Sequence, residues 1–561
     1  MNLLKSAAML AMLCAPVAFG QSPQGSIRSQ MPHLEKNGHV IQMIVDGRPY
    51  LMLAGELHNS SATSETYMQP IWGKLAALNV NTVISTVSWE QIEPAEGTFD
   101  FRSVDAQVRA AGAHGQHLVL IWFGTWKNAS SSYVPLWVKK DPQRFPMATT
   151  RSGGGSFMGL TFDILSPLGS ATIASDARAF QALMRHLRTS DPKHTVIMMQ
   201  VENESGLLGD SRDRSPLAQS AWDKPVPREL MDYLVKHKDT LLPELTSVWS
   251  SSGSKASGTW SEVFGTSAGA EEVFMAWYVG HAINSVAEAG KKELALPMYA
   301  NAWLGPQPGA LIPGQYPSGG PVSGMLDVWR AAAPSLEFFS PDIYIADFQG
   351  VTERQVRSGN PLFIPEARAN IANLFWAVGH HAALGYSPFG IEDLSDNKPL
   401  AQAYALLGGL TPLLMKLQME GKVMTVVEGN AASVKDFETM TGMTVTFGGL
   451  QGFMAPAPKT KDKDQQKDLP PAPTADALSI KPDVDARGFA LVLQTGPNEF
   501  FISGSGLQVK SSKSHIGTVE EGTFEKGHWR PGRLLNGDET IDGNMVMLHS
   551  DSVETRRVIT Y

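Results

Sequence analysis

The chain has 561 residues and a formal net charge of −9, with 46 Lys and Arg against 55 Asp and Glu. That balance, with no basic stripe along the chain, argues against nucleic acid as a partner. A chain of this length divides into about two or three domains, each large enough to bury a core without staples.

Met1 to Gly20 reads as a secretory signal: a lone Lys5, an apolar run, and the small-x-small site Ala18-Phe19-Gly20 before Gln21. The run is too short and wrongly flanked to span a bilayer, and no later stretch reads as reaching membrane length. Cys14, the only cysteine, lies inside this segment, so an exported chain holds no disulfide and relies on its core. The residues before it, Ala11-Met12-Leu13, lack the small neighbour that a lipid-modified cysteine wants. A periplasmic or secreted protein without membrane contact after cleavage is expected.

Eight buried-strand patterns follow, at 51–57, 81–89, 117–123, 195–201, 297–303, 338–344, 362–367 and 385–392. Helical patterns lie between them, at 68–78, 104–114, 173–187, 271–289, 325–333, 351–357 and 371–384. Strands alternating with helices in this way predict an α/β fold, a (β/α)8 barrel over residues 21–400, with a Ser-, Gly- and Trp-rich insertion at about 207–269. A doubly wound open sheet is disfavoured because no Gly-rich phosphate fingerprint follows the first strand. From about residue 401 a helical run gives way to short alternating stretches broken by Gly, predicting a smaller β-rich C-terminal domain over 401–561. Within it, 455–475 is charged, Pro-rich and of low complexity, and is expected to be an unstructured loop.

The centre of the argument is His194 to Gly206, HTVIMMQVENESG. A β-branched and Met-rich run, of the kind buried on both faces, ends abruptly in Glu202-Asn203-Glu204. The run PLFIPEA at 361–367 ends in Glu366 in the same manner. Barrel enzymes place their chemistry at these carboxyl ends. Two carboxylates far apart in sequence suit glycoside hydrolysis, which needs a proton donor and a nucleophile or base.

The other strand ends supply Glu56, His58 and Asn59; Trp89, Glu90 and Glu93; Trp122, Trp126, Lys127 and Asn128; Asn301 and Trp303; Asp342 and Tyr344; and Tyr386, Glu392 and Asp393. Polar groups among aromatic faces suit a sugar, whose C–H faces stack on rings and whose hydroxyls take directed hydrogen bonds. Each of these residues also has a packing role open to it. His58 reads equally as a hydrogen-bonded core histidine, Trp89 as a cap on the barrel core, and Tyr344 as a packing residue. No histidine pair has metal-ligand spacing, since His380 and His381 are adjacent on a helix, so neither metal nor cofactor is expected.

Two motifs add a family likeness. Gln200-Val201-Glu202-Asn203-Glu204-x-Gly206 and Trp89-x-x-x-Glu93-Pro94-x-x-Gly97-x-Phe99-Asp100-Phe101, with Gly55-Glu56-Leu57-His58-Asn59-Ser60-Ser61, resemble glycoside hydrolase family 35, the β-galactosidases, in a bacterial branch with a C-terminal β domain. The resemblance covers most of residues 35–450. It implies Glu204 as general acid/base, Glu366 as nucleophile and Asn203 at the sugar 2-hydroxyl, with a β-galactoside as substrate. It also implies a retaining site, in which the carboxyls stand about 5–5.5 Å apart. Tyr344 or Tyr386 is expected to hydrogen-bond the nucleophile, and the charge on Glu366 to keep Glu204 protonated.

The chain departs from the lysosomal-type members at Leu120-Ile121-Trp122-Phe123, where they carry Cys-Ala-Glu-Trp, and at Thr86 and Ser205, where they carry Tyr. Lys127, Asn128 or Glu56 stand as replacements for the missing hydroxyl-binding groups. Another β-glycoside, such as an arabinopyranoside, fucoside or glucoside, or a catalytically silent carbohydrate-binding protein, are the alternatives.

Overall fold

The computed structural model describes residues 31–151, 155–157, 160–448 and 487–561. The expected signal segment and the charged stretch at 455–475 lie outside the described residues.

Eight parallel strands close into a barrel in chain order. They are β1 (Met52–Glu56), β2 (Thr82–Ser88), β3 (His117–Lys127), β4 (Val196–Asn203), β5 (Met298–Trp303), β6 (Phe338–Ile343), β7 (Ile364–Ala367) and β8 (Gly385–Pro388). The last pairs back onto the first through Gly385↔Met52 and Tyr386↔Leu53. Each strand falls on an expected pattern, and the (β/α)8 architecture stands. The long helices Ser170–Ser190 and Ala268–Lys291 match expected helical patterns. The stretch after β4, expected to be an insertion, contains the short helices Pro216–Trp222, Arg228–Lys236, Pro243–Ser250 and Trp260–Phe264.

Period-two alternation decides what faces the barrel axis. Met52, Ala54, Ile84, Val119, Ile121, Phe123, Tyr299 and Phe338 form one buried cluster that fills the lumen. Met43 and Val45 belong to the same cluster. They come from an N-terminal meander, His33–Asn37, Val40–Val45 and Arg48–Tyr50. The opposite residues, among them Leu53, Val83, Leu120 and Trp122, join a separate cluster with the surrounding helices. Carried one or two steps further, the inward rows Met52-Ala54, Tyr299 and Phe338-Ser340 deliver Glu56, Asn301 and Asp342 to the carboxyl end. The lumen is therefore packed below and polar above.

Helix Lys398–Met419 corrects one expectation. Among the described residues it is long and apolar enough to cross a membrane, with a mean hydropathy of 1.2 in its most apolar window. It serves instead as a core helix. Its Tyr404 hydroxyl bonds the carbonyls of Ala54 and Tyr386 in the barrel at 2.7 and 3.1 Å. Gly409 O accepts from Gly527 N of the C-terminal region at 2.7 Å. Buried Leu400, Leu407, Leu410 and Leu414 line the helix, each worth roughly 1.5–3 kcal/mol when fully removed from water.

Beyond it the chain is β-rich, as expected. A six-stranded sheet and a three-stranded sheet, Met443–Phe447, Leu507–Ser511 and Met545–Leu548, enclose a second core of Val426, Phe437, Val492, Ile502, Val509 and Val558. Every strand pairing in both sheets is antiparallel.

Candidate active site

Five of the acids at the carboxyl ends of the strands act on one another: Glu56, Glu204, Asp342, Glu366 and Glu392. Four are buried, while Glu366 remains partly open to solvent. Reaching this position requires unusual backbone at the end of β4. Glu202 and Glu204 sit at φ +64° and +44°, a left-handed conformation that costs of order 1–3 kcal/mol at a non-glycine residue. Three hydrogen bonds offset that cost: Asn128 N to Asn203 O at 3.1 Å, Ala129 N to Glu204 O at 3.0 Å, and Glu204 N to Asn301 Oδ1 at 3.0 Å. The donors Asn128 and Ala129 follow a bulge in β3, where the register jumps from Trp122↔Val201 to Lys127↔Asn203.

That backbone sends two glutamates, two residues apart, to different surroundings. Glu202 is fully buried, accepting from Thr125 N at 3.0 Å and Trp126 N at 2.6 Å. It also shares a hydrogen bond with Asp176, and burial raises both carboxyls. Glu204 instead joins the ring of acids. Burial, followed by the charge on Glu366, pushes it up to about 7, while Lys127 and a hydrogen bond with Asp342 oppose the rise.

Burial raises Glu366 as well, against the pull of Lys127 and of the Tyr344 hydroxyl, which donates to its Oε1 at 2.5 Å. Asp342 and Glu56 stand well above the carboxylate range, from burial first and then from the neighbouring acids. Glu204 is thus raised toward neutral pH, facing Glu366, which a lysine and a phenol favour as the anion. Such a pair can protonate a leaving group and supply a nucleophile in one step.

Several polar atoms in these surroundings have no hydrogen-bond partner within the protein: Asn59 Oδ1, Asn203 Oδ1, Tyr299 OH, Asp342 Oδ1 and Glu392 Oε2. Buried polar atoms are ordinarily satisfied, so these mark where a ligand rich in hydroxyls would bond. Of the expected binding residues, Lys127 is half-buried, and its charge acts on Glu56, Glu204 and Glu366. Asn128 is exposed beside it, in contact with it through Oδ1. His58 bonds Asp393 at 2.8 Å. Trp303 ends β5 half-buried, and Tyr344 is 37% exposed.

Four expectations are corrected. Trp89 is fully buried, and its indole donates to Glu93 at 2.8 Å. Trp122 is likewise buried and donates to Asp176 at 2.7 Å, because its place between the inward Ile121 and Phe123 of β3 points it at the helix layer. Trp126 donates to Leu165 O at 3.1 Å behind the barrel wall. The Tyr386 hydroxyl donates to Arg368 O at 2.6 Å, leaving Tyr344 as the phenol on Glu366. Asn301, Asp342 and Glu392 stood among the strand-end residues with no role assigned. Their alternation with Tyr299 and Phe338 was the available signal for the first two. Glu392 accepts from His58 N at 3.0 Å and Ser61 Oγ at 2.6 Å, a pairing across 334 and 331 residues that no local pattern reveals.

For metals, Glu353, His380 and His381 bring ligand atoms within 4.8 Å of one another on the helix layer. Hydrogen bonds already satisfy them, from His380 to Glu353 at 2.9 Å and from His381 to Thr352 at 3.0 Å.

Fold and site together define a (β/α)8 barrel with an acid-lined mouth. Residues 60–268 match the family model Glyco_hydro_42, described as beta-galactosidase. That match covers less than half of the chain, and the matching model is not that of family 35. Residues 400–547 match a domain of unknown function, DUF5597. A beta-galactosidase from Xanthomonas manihotis is 28% identical over 195 residues, 33% of this chain and 29% of that protein. Among solved structures, a beta-galactosidase from Bacillus circulans sp. alkalophilus is similar over 60% of this chain and 50% of its own, at 15% identity and a TM-score of 0.40. A cold-adapted beta-galactosidase from Rahnella sp. R3 is similar over 65% and 57%, at 15% identity and a TM-score of 0.43. Likeness at that distance says nothing about activity.

Proposed function

We propose that this protein is an exported, exo-acting, retaining β-galactosidase of the family-35 kind, removing terminal β-galactose from plant polysaccharide side chains or oligosaccharides such as those of xyloglucan. One observation carries the reading: Glu204, pushed up to about 7, faces Glu366, which accepts the Tyr344 hydroxyl at 2.5 Å.

In the first half-reaction a Glu366 oxygen attacks the anomeric carbon, and Glu204 gives its proton to the departing glycosidic oxygen. In the second, Glu204 takes a proton from water, whose oxygen displaces Glu366 from the sugar. The net change is addition of water, and both carboxyls return to their starting states. Asn203 Oδ1, without a partner in the protein, is suited to bond the sugar 2-hydroxyl.

The balance of five acids to one nearby lysine favours a neutral glycone over a uronic acid. The match at 60–268 supports galactose, and the motifs around Trp89 and Asn203 support the family. The Met1–Gly20 segment supports export. A panel of aryl β-glycosides tests the reading. The galactoside should be turned over fastest, ahead of the fucoside, arabinopyranoside and glucoside. Saturable sugar binding with no turnover of any member would replace the reading with that of a binding protein.

A further inference from the structure

We infer that Glu353, His380 and His381 form a zinc site on the helix layer, clamping together the helices on either side of β7 in the chain. The inference stands apart from the hydrolase reading. The carboxylate comes from helix Phe348–Gln355, which follows β6, and both imidazoles from the end of helix Ile371–His381, which follows β7. Neighbouring residues on a helix point about 100° apart, so adjacent histidines make a poor metal signal in a sequence. Here His381 is the last helical residue, ahead of Ala382 at φ +50°, and the two ring centroids lie 4.6 Å apart. Both rings meet one carboxylate oxygen. Glu353 Oε1 lies 2.9 Å from His380 Nε2, and Glu353 Oε1 lies 3.8 Å from His381 Nε2.

Those separations suit a shared ion. Zinc holds N and O donors at about 2.0–2.2 Å in a tetrahedron, which sets the donors about 3.3–3.6 Å from one another. The observed 2.9 and 3.8 Å fall on either side of that interval, and all three ligand atoms lie within 4.8 Å of one another. The Glu353 side chain is 53% exposed, so a small rotation of it can close the difference. Two imidazoles and one carboxylate select a borderline ion such as zinc, whereas magnesium and calcium ask for oxygen alone. Three protein ligands leave the fourth position to water.

The rings are held from behind, as metal ligands need to be. Trp376 stacks on His380 at 3.9 Å and meets His381 edge-on at 5.9 Å. Trp376 is itself buried, and its indole donates to Thr352 Oγ1 at 3.2 Å. Thr352 gives its own proton to Gln349 O at 2.9 Å, and so accepts from His381 Nε2 at 3.0 Å. The hydrogen bonds that satisfy the histidines therefore also aim them. Zinc exchanges two of those bonds, His380 to Glu353 and His381 to Thr352, for three coordinate bonds. Each neutral ring then carries its proton on Nδ1 instead of Nε2, and no proton is released. Because β7 carries Glu366, the metal staples the two helices next to the strand that holds the proposed nucleophile.

The test is equilibrium dialysis of the untagged chain against buffered zinc after chelator treatment, with the metal counted for wild type, E353Q and H380A. Wild type should take up one zinc per chain at micromolar free metal. Cobalt(II) in its place should give the intense visible bands of a four-coordinate ion. Each variant should bind more weakly by at least the roughly 10- to 100-fold lost when only a supporting residue is removed. The melting temperature should rise with zinc in wild type and stay level in the variants. No uptake by wild type overturns the inference. Uptake equally tight in both variants also overturns it, since the metal then sits on other residues. If H380A does not fold, E353Q decides alone, because it changes an exposed side chain without changing its size.

Discussion

Two pairs of acids flank the end of β4, and they differ in two respects that bear on chemistry. Glu202 with Asp176 and Glu204 with Asp342 are all buried, and burial raises all four. The first pair is saturated. Asp176 accepts from the Trp122 indole at 2.7 Å and from Thr125 N and Oγ1 at 2.9 and 2.5 Å, and Glu202 takes two further backbone donors. The second pair keeps an unpartnered oxygen and adjoins Glu366, which is half-buried. A perturbed carboxyl is therefore not in itself a sign of catalysis. Access and unsatisfied bonding separate the working pair from the structural one.

The sharpest break in that comparison comes from Glu366. E366Q should lower kcat by on the order of 10⁵–10⁶, the scale for a nucleophile acting as part of a unit, with an unchanged melting curve. Full activity would remove the mechanism. Next is E204Q, which should cost about 10²–10⁴ in kcat/KM on poor leaving groups and much less on activated ones. Equal losses on both would deny Glu204 its role as acid.

A smaller effect is expected from Y344F. Losing a hydrogen bond to a charged group costs about 1.5–3 kcal/mol, so kcat/KM should fall about 10- to 100-fold. Because the phenol lowers Glu366, its removal raises that carboxyl, and the acidic limb of the pH profile should move to higher pH. A limb that stays in place would mean the phenol does not hold the anion. The smallest effect on turnover belongs to D176N. It should cost about 1–3 kcal/mol of stability, as a buried donor loses its acceptor, while kcat of the folded enzyme changes only a few-fold. A shifted pH profile there would show that the two pairs are coupled and the contrast between them false.

Much of this was legible in the chain. All eight strands were readable because parallel strands buried on both faces are continuous apolar runs with abrupt ends, and Glu204 and Glu366 stand at two of those ends. The tryptophans misled because position at a strand end says nothing about parity. Trp122 lies one step out of the row Ile121–Phe123 and so faces the helices. Glu202 and Glu204 have the same parity, and only the left-handed backbone, anchored by residues 128, 129 and 301, sends them apart. Nor does composition distinguish a core helix from a spanning one. One face of Lys398–Met419, with Leu400, Leu407, Leu410 and Leu414, is buried, and the helix bonds both the barrel and the C-terminal region.

The central claim, that Glu204 and Glu366 act together by double displacement, is tested most directly by proton NMR of an aryl β-galactoside in the first minutes of hydrolysis. The account predicts β-galactose as the first anomer released, before mutarotation. Early α-galactose would contradict it, since single displacement needs carboxyls about 6.5–9.5 Å apart with a water between them.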